Sequence, residues 1–177
     1  MVTAIAPTVA GFLAIMALVG VERLAELVVT KRNAAWSLAH GGIEHGRGHY
    51  PVMVVLHTAF LFGALAEVLL LDRPFVPWIG VPCLVAAVGS QGLRWWVITT
   101  LGRRWNTRVI VIPGLAPIEG GPFRWLRHPN YLAVVTEGIA LPMIHGAWIT
   151  ALVFTVLNAL LLRERVRVED QALGRTA

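Results

Sequence analysis

Charge is scarce in this chain. Only 14% of its 177 residues are Asp, Glu, Lys or Arg, while 56% are hydrophobic. A soluble domain of this size is about a quarter charged and less than half apolar. The shortage excludes an ordinary water-soluble globule and points to a membrane protein. Mean hydropathy, at +0.68, agrees. Cysteine is almost absent: Cys83 stands alone in an apolar stretch, which excludes a disulfide framework and any paired-cysteine metal site. Residues 1–7 hold no Lys or Arg. The basic start of a signal peptide is therefore missing, and the first apolar run is expected to stay as a membrane helix. No internal repeat or low-complexity tract interrupts the chain, which reads as one domain.

What charge there is carries a net +5. The arginines gather at the ends of apolar runs, a pattern that fits the positive-inside rule better than a nucleic-acid face. Five apolar segments can be drawn: residues 2–21, continuing as a polar helix towards Asn33, then 51–71, 78–101, 131–144 and 148–162. The first three reach the roughly 20 residues that a hydrocarbon core of about 30 Å requires. The last two are shorter, Pro142 interrupts one of them, and only His145-Gly146-Ala147 separates them. They are expected to form a tight helical hairpin or a bent re-entrant element. The predicted class is an all-α integral membrane protein of about five transmembrane helices with a C-terminal hairpin.

Orientation follows from the loops. Lys31, Arg32 and Arg47 lie between the first two segments, and Arg103, Arg104, Arg108, Arg124 and Arg127 between the third and fourth. Arg163, Arg165, Arg167 and Arg175 follow the fifth, whereas the opposite turns hold only Asp72, Arg73 and His145. This bias puts the N-terminus outside and the C-terminus in the cytoplasm, so the polar loops should build a cytoplasmic pocket. Most tryptophans, Trp105 among them, fall at predicted helix ends and read as interfacial anchors. His40, His45 and His49 are too broken by Gly41, Gly42, Gly46 and Gly48 to read as a zinc set, and no metal site is expected. Glu67, Arg94 and Glu137 lie within or near apolar segments. Ionisable groups there are functional candidates, though Arg94 with Glu137 or Glu67 reads equally well as a structural pair.

The polar segment before the hairpin carries Arg127-His128-Pro129-Asn130-Tyr131. Proline suits the first turn of a helix, and the residue before it avoids helical geometry. The fourth helix should therefore begin at Pro129 with His128 as its cap, a place suited to an anionic group. Upstream, Val109-Ile110-Val111-Ile112 is a short β-prone run, followed by a loop rich in Gly and Pro. After the last segment, Arg165 and Glu169 sit four apart on one helical face. They read either as a solvated salt bridge or, if the hairpin returns the chain, as a wall facing the His128 cap across a cavity. A zwitterion such as S-adenosylmethionine would match those two poles.

The ordered set Gly121-Pro122-Phe123, Arg127-His128-Pro129, Tyr131, Glu137, Leu141-Pro142, Asn158, Arg165 and Glu169 resembles the isoprenylcysteine carboxyl methyltransferase family over about residues 100–173. The resemblance implies that residues 102–177 form the cofactor-binding and catalytic part and 1–101 a three-helix membrane part. Leu115, Ala116, Pro117, Ile118, Phe123, His128, Pro129, Asn130 and Tyr131 would contact S-adenosylmethionine, Glu169 would hold its amino group, and Arg165 would face the acceptor's nucleophilic oxygen. Phe123 stands where the family commonly has Tyr, and Ala133 where Gly is frequent. Arg23, Glu26, Asn33, Trp36, His49-Tyr50-Pro51 and His57 further resemble bacterial members that O-methylate alkylpyrones or alkylresorcinols. The partner implied is thus a lipophilic acceptor, a small lipid or a prenylcysteine-type carboxylate, and not a nucleic acid. A sterol-reductase-type enzyme using NADPH, or a small transporter subunit, are the competing classes.

Overall fold

A computed structural model of the chain describes residues 6–174. Residues 1–5 and 175–177 lie outside it, and with them the start of the first apolar segment and Arg175. Five helices dominate: α1 Pro7–Ala39, α2 His49–Leu70, α3 Pro77–Leu101, α4 Pro129–Met143 and α5 Trp148–Ala172. Pro7, Pro77 and Pro129 open three of them, because a first-turn residue needs no N–H. α4 starts where the sequence places it, with His128 at its N-cap in a non-helical conformation.

α2 and α3 are long and apolar enough to cross a membrane, and most of each faces outward. Leu18, Val55, Phe62, Leu70, Val85 and Leu160 are all exposed, an apolar exterior suited to lipid tails. The other three helices differ. α1 runs for 33 residues but carries Glu22, Arg23 and Glu26 about its middle. α4 has 15 residues and so spans only about 22 Å. α5 becomes charged beyond Leu162.

The apolar interior joins Phe12, Met16, Phe60, Ala64, Leu141 and Phe154 from α1, α2, α4 and α5. α4 lies closely along α3 and α5. Small residues permit the approach: a Cβ on Gly80 would stand 2.6 Å from the Ile144 carbonyl oxygen.

Buried charges complete the packing. Arg94 on α3 pairs with Glu137 on α4 and lies 3.7 Å from Glu26 on α1. Glu67 does not join them. Its carboxylate accepts from the Ile149 and Thr150 N–H groups at 3.1 and 2.7 Å and meets Arg73 at 2.9 Å. Glu67 thus caps the start of α5 from α2, a carboxylate where the helix dipole favours one.

The structure is not wholly α. A two-stranded antiparallel ribbon pairs β1 Ile43–His45 with β2 Val109–Val111, Ile43 opposite Val111 and His45 opposite Val109. The β-prone run at Val109 finds its partner in the loop between α1 and α2. The ribbon covers one end of the helices, beside the polar extension of α5.

Candidate functional site

The loop between α3 and α4 is held from several directions. Asn33 on α1 donates to the Gly102 and Trp105 carbonyls at 3.2 and 2.7 Å. Thr30 accepts from the Thr107 N–H at 2.7 Å. Arg104 donates to the Ala116 carbonyl at 2.7 Å, which fixes the segment 115–118. Gly121 adopts φ +57°, and a side chain there would collide with Thr100, so the turn into the Arg127–Tyr131 motif needs glycine.

Beneath this loop lies a cavity of about 180 Å³. Leu115, Ala116, Pro117, Ile118, Phe123, His128, Pro129, Asn130, Tyr131, Arg165 and Glu169 all line it. The eleven residues singled out in the sequence are therefore neighbours around one space. Sequence reasoning missed Ser37 of α1, Val97 and Leu101 of α3, and Trp105 and Asn106, which line it too. The first 101 residues thus contribute to the cavity wall. Trp105 had read as an interfacial anchor, yet it is only 3% exposed and its indole N–H has no protein partner. No local signal separates it from Trp78 or Trp125, which are well exposed.

Arg165 and Glu169 do not form a salt bridge with each other; both line the cavity that the His128 cap also lines. The Tyr131 hydroxyl stands between them: Arg165 Nε donates to it at 3.0 Å, and it donates to Glu169. Arg165 also donates to the Thr107 carbonyl at 2.5 Å and touches the Met53 sulfur at 2.8 Å. His128 reaches across directly, 3.5 Å from Glu169 and 3.4 Å from Asp170, and stacks on Tyr131. The Tyr131 and Leu132 N–H groups both turn back to the His128 carbonyl. Because Pro129 lacks an N–H, Asn130 is the first-turn residue left to offer one to a ligand.

These contacts set the local charge. Hydrogen bonding to Glu169 raises the His128 pKa above its ordinary value, against the burial that would lower it. Burial would raise the Glu169 carboxyl, but the hydrogen bonds of His128 and Tyr131 outweigh it and hold that carboxyl below its usual range. A raised histidine pKa stabilises the fold fully below the unfolded value of about 6.5 and ceases to do so as pH rises through the folded value. The melting temperature should therefore fall on titrating upward through that value, and less so in His128→Gln. Parallel profiles for the two proteins would disprove the coupling.

A second space, of about 370 Å³, runs as a groove mainly between α1, α2 and α5, with Arg94 of α3 and the start of α4 completing it, and is mostly apolar. It shares Trp105, Asn130, Tyr131 and Arg165 with the first cavity. The two spaces meet at these side chains. Several buried polar atoms on their walls have no protein hydrogen-bond partner: Trp105 Nε1, Asn106 Oδ1 and Asn130 Oδ1 on the first, and Asn158 Oδ1 on the groove. Buried donors and acceptors without partners are costly, so walls carrying several of them suit a polar ligand.

The sequence profile described as the isoprenylcysteine carboxyl methyltransferase (ICMT) family matches residues 81–175. The chain is 37% identical to the uncharacterized protein YpbQ of Bacillus subtilis, over 92% of its own length and 96% of that protein. It is 28% identical to an uncharacterized protein of Haemophilus influenzae, over 86% of its length and 88% of that relative. No solved structure matches it.

Proposed function

From the premise that the chain belongs to the isoprenylcysteine carboxyl methyltransferase family, and is thus a membrane methyltransferase, we propose that it transfers a methyl group from S-adenosylmethionine to an oxygen of a small lipid. An alkylresorcinol or alkylpyrone fits this reading better than a prenylcysteine carboxylate, because the groove lies among side chains of all five helices. All five helices cross the membrane, with the N-terminus and the two short turns outside and the polar segments 31–49 and 102–130 and the C-terminal segment in the cytoplasm.

The observation that carries this reading is the junction of a cavity of mixed polar and apolar lining with a mostly apolar groove at Arg165, Tyr131, Asn130 and Trp105. A two-substrate transfer between a water-soluble donor and a lipid needs such a meeting point, since it must align nucleophile and methyl and keep water out. The cavity wall fits S-adenosylmethionine in its chemistry. Trp105 offers a donor, Asn106 and Asn130 offer acceptors, Glu169 offers a carboxylate for an amino group, and Leu115, Pro117 and Ile118 offer apolar surface to a base. When bound, the cofactor supplies an electrophilic methyl on a sulfonium.

Arg165 is the residue for the acceptor. Arg165 lines both spaces and its guanidinium is fixed by Tyr131 and Thr107, so it can orient an oxyanion without itself taking a proton. Tyr131 and Glu169 in turn hold Arg165 and the cofactor side of the junction. His128 is engaged by Glu169 and Asp170, which supports a binding role for it over general-base work.

Thermal stabilisation of the purified protein by S-adenosylhomocysteine, and none by NADPH, is the expected result. At a ligand concentration 100 times Kd the gain is about 2.7 kcal/mol, a shift of a few degrees. Stabilisation by NADPH alone would transfer the chain to the reductase class.

A further inference from the structure

One partner of Arg165 is unlike the others. Nε donates to the Tyr131 hydroxyl and Nη2 to the Thr107 carbonyl. Both acceptors are oxygens, and both residues are themselves held. Tyr131 is bonded to Glu169, and the Thr107 N–H is bonded to Thr30 Oγ1 at 2.7 Å. Two fixed bonds set the plane of a guanidinium, because its N–H groups form one rigid fork. The direction of Nη1 follows from them. It is aimed at the Met53 sulfur, 2.8 Å away.

That sulfur is a poor match for a cation. A thioether accepts hydrogen bonds only weakly, whereas a charged donor bonds most strongly to an ionised oxygen. Met53 is also the partner best able to move, since its sulfur stands on an unbranched chain with three rotatable bonds. The residue is half-buried on α2. It lines the groove but not the cavity, so this soft contact lies on the lipid side of the junction.

We propose that the Met53 thioether holds the place on Arg165 Nη1 that the acceptor's oxygen takes, and swings aside as the acceptor enters. Met53 is then a positioning residue that acts through Arg165 and gates the acceptor side of the reaction point. This rests on the methyltransferase reading and on Arg165 as its acceptor residue. It does not depend on which oxygen-bearing lipid is used, because a hydroxyl or an oxyanion displaces the sulfur in the same way.

Kinetics of the full-length protein in detergent, with an alkylresorcinol as acceptor, should be compared with those of two variants. Leucine keeps nearly the volume of methionine but has no acceptor atom. Glutamine keeps the chain length and ends in an amide oxygen, a full-strength acceptor. Met53→Leu is expected to lower the acceptor's KM about two- to fivefold, since no bond to Arg165 has to break. Met53→Gln is expected to raise it about tenfold, since a stronger bond has to break. In both, kcat should stay within about twofold of wild type, the mark of a change in binding alone. Stabilisation by S-adenosylhomocysteine should be unchanged, because Met53 is absent from the cavity wall. A methionine that only fills space gives KM shifts of the same sign in both variants, or none, and either result overturns the proposal. In wild-type protein with methyl-labelled methionine, the Met53 methyl resonance should move when the alkylresorcinol is added. A resonance that stays in place at saturating alkylresorcinol also overturns the gate, while leaving the methyltransferase reading intact. Failure of that reading looks different: S-adenosylhomocysteine does not stabilise the protein, no methyl is transferred, and the gate falls with it.

Discussion

Arg165→Ala is expected to lower kcat/KM for methyl transfer by about two to three orders of magnitude, the loss seen when one fixed group facing a developing or bound oxyanion is removed. The side chain is 6% exposed and its guanidinium is spread over the Tyr131 hydroxyl, the Thr107 carbonyl and the Met53 sulfur. Its planar fork is what lets it hold these partners and still face the groove. Arg165→Lys should therefore rescue little, since an ammonium keeps the charge but not the fork. Stabilisation by S-adenosylhomocysteine should persist in weakened form, because Glu169 keeps its bonds to Tyr131 and His128. Activity within tenfold of wild type would dismiss Arg165 as the acceptor residue. Complete loss of cofactor binding with no separate effect on transfer would instead make it part of the cofactor site.

The largest effect on stability should come from Arg94→Met. Arg94 is the guanidinium that faces Glu137 directly and Glu26 at 3.7 Å, all three being buried between α1, α3 and α4. Removing one member of a buried ion pair typically costs about 3–5 kcal/mol, because the remaining charge is stranded. Reversible unfolding in detergent should register a loss of this size. The double variant Arg94→Met/Glu137→Gln should recover much of it, since Glu137 is then no longer a stranded charge and Glu26 keeps Arg23 at 3.0 Å. A single variant as stable as wild type, or a double variant weaker than the single, would show that the pairing does not support the fold.

Local chemistry made the start of α4 legible. Pro129 and the residue before it obey rules that depend on the backbone alone, and His128 adopts the non-helical conformation those rules require. The residues around the cavity were legible for another reason: the ordered motif resembles a known family, and its members meet around one space. Contacts that bridge long stretches of chain were not. Asn33 holds Trp105 from 72 residues away, and no spacing rule reaches that far. The spacing of Arg165 and Glu169 predicted a shared face but not the Tyr131 hydroxyl between them. Glu67 and Glu137 looked alike as acids in apolar helices. Only the packing gives one Arg94 as its partner and the other the start of α5. β2 announced itself through four β-branched residues in succession, whereas Ile43-Glu44-His45 between glycines carries no strand signal of its own.

That ribbon bears on the order in which the protein can be made. Ile43 and its partner Val111 are 68 residues apart, so β1 is complete long before Val109 leaves the ribosome. α2 and α3 must both be synthesised and inserted before β1 can meet β2, and α5 must follow before Arg165 can reach Thr107. A nascent chain that stops before α5 thus lacks Arg165 and Glu169, and with them one wall of the cavity.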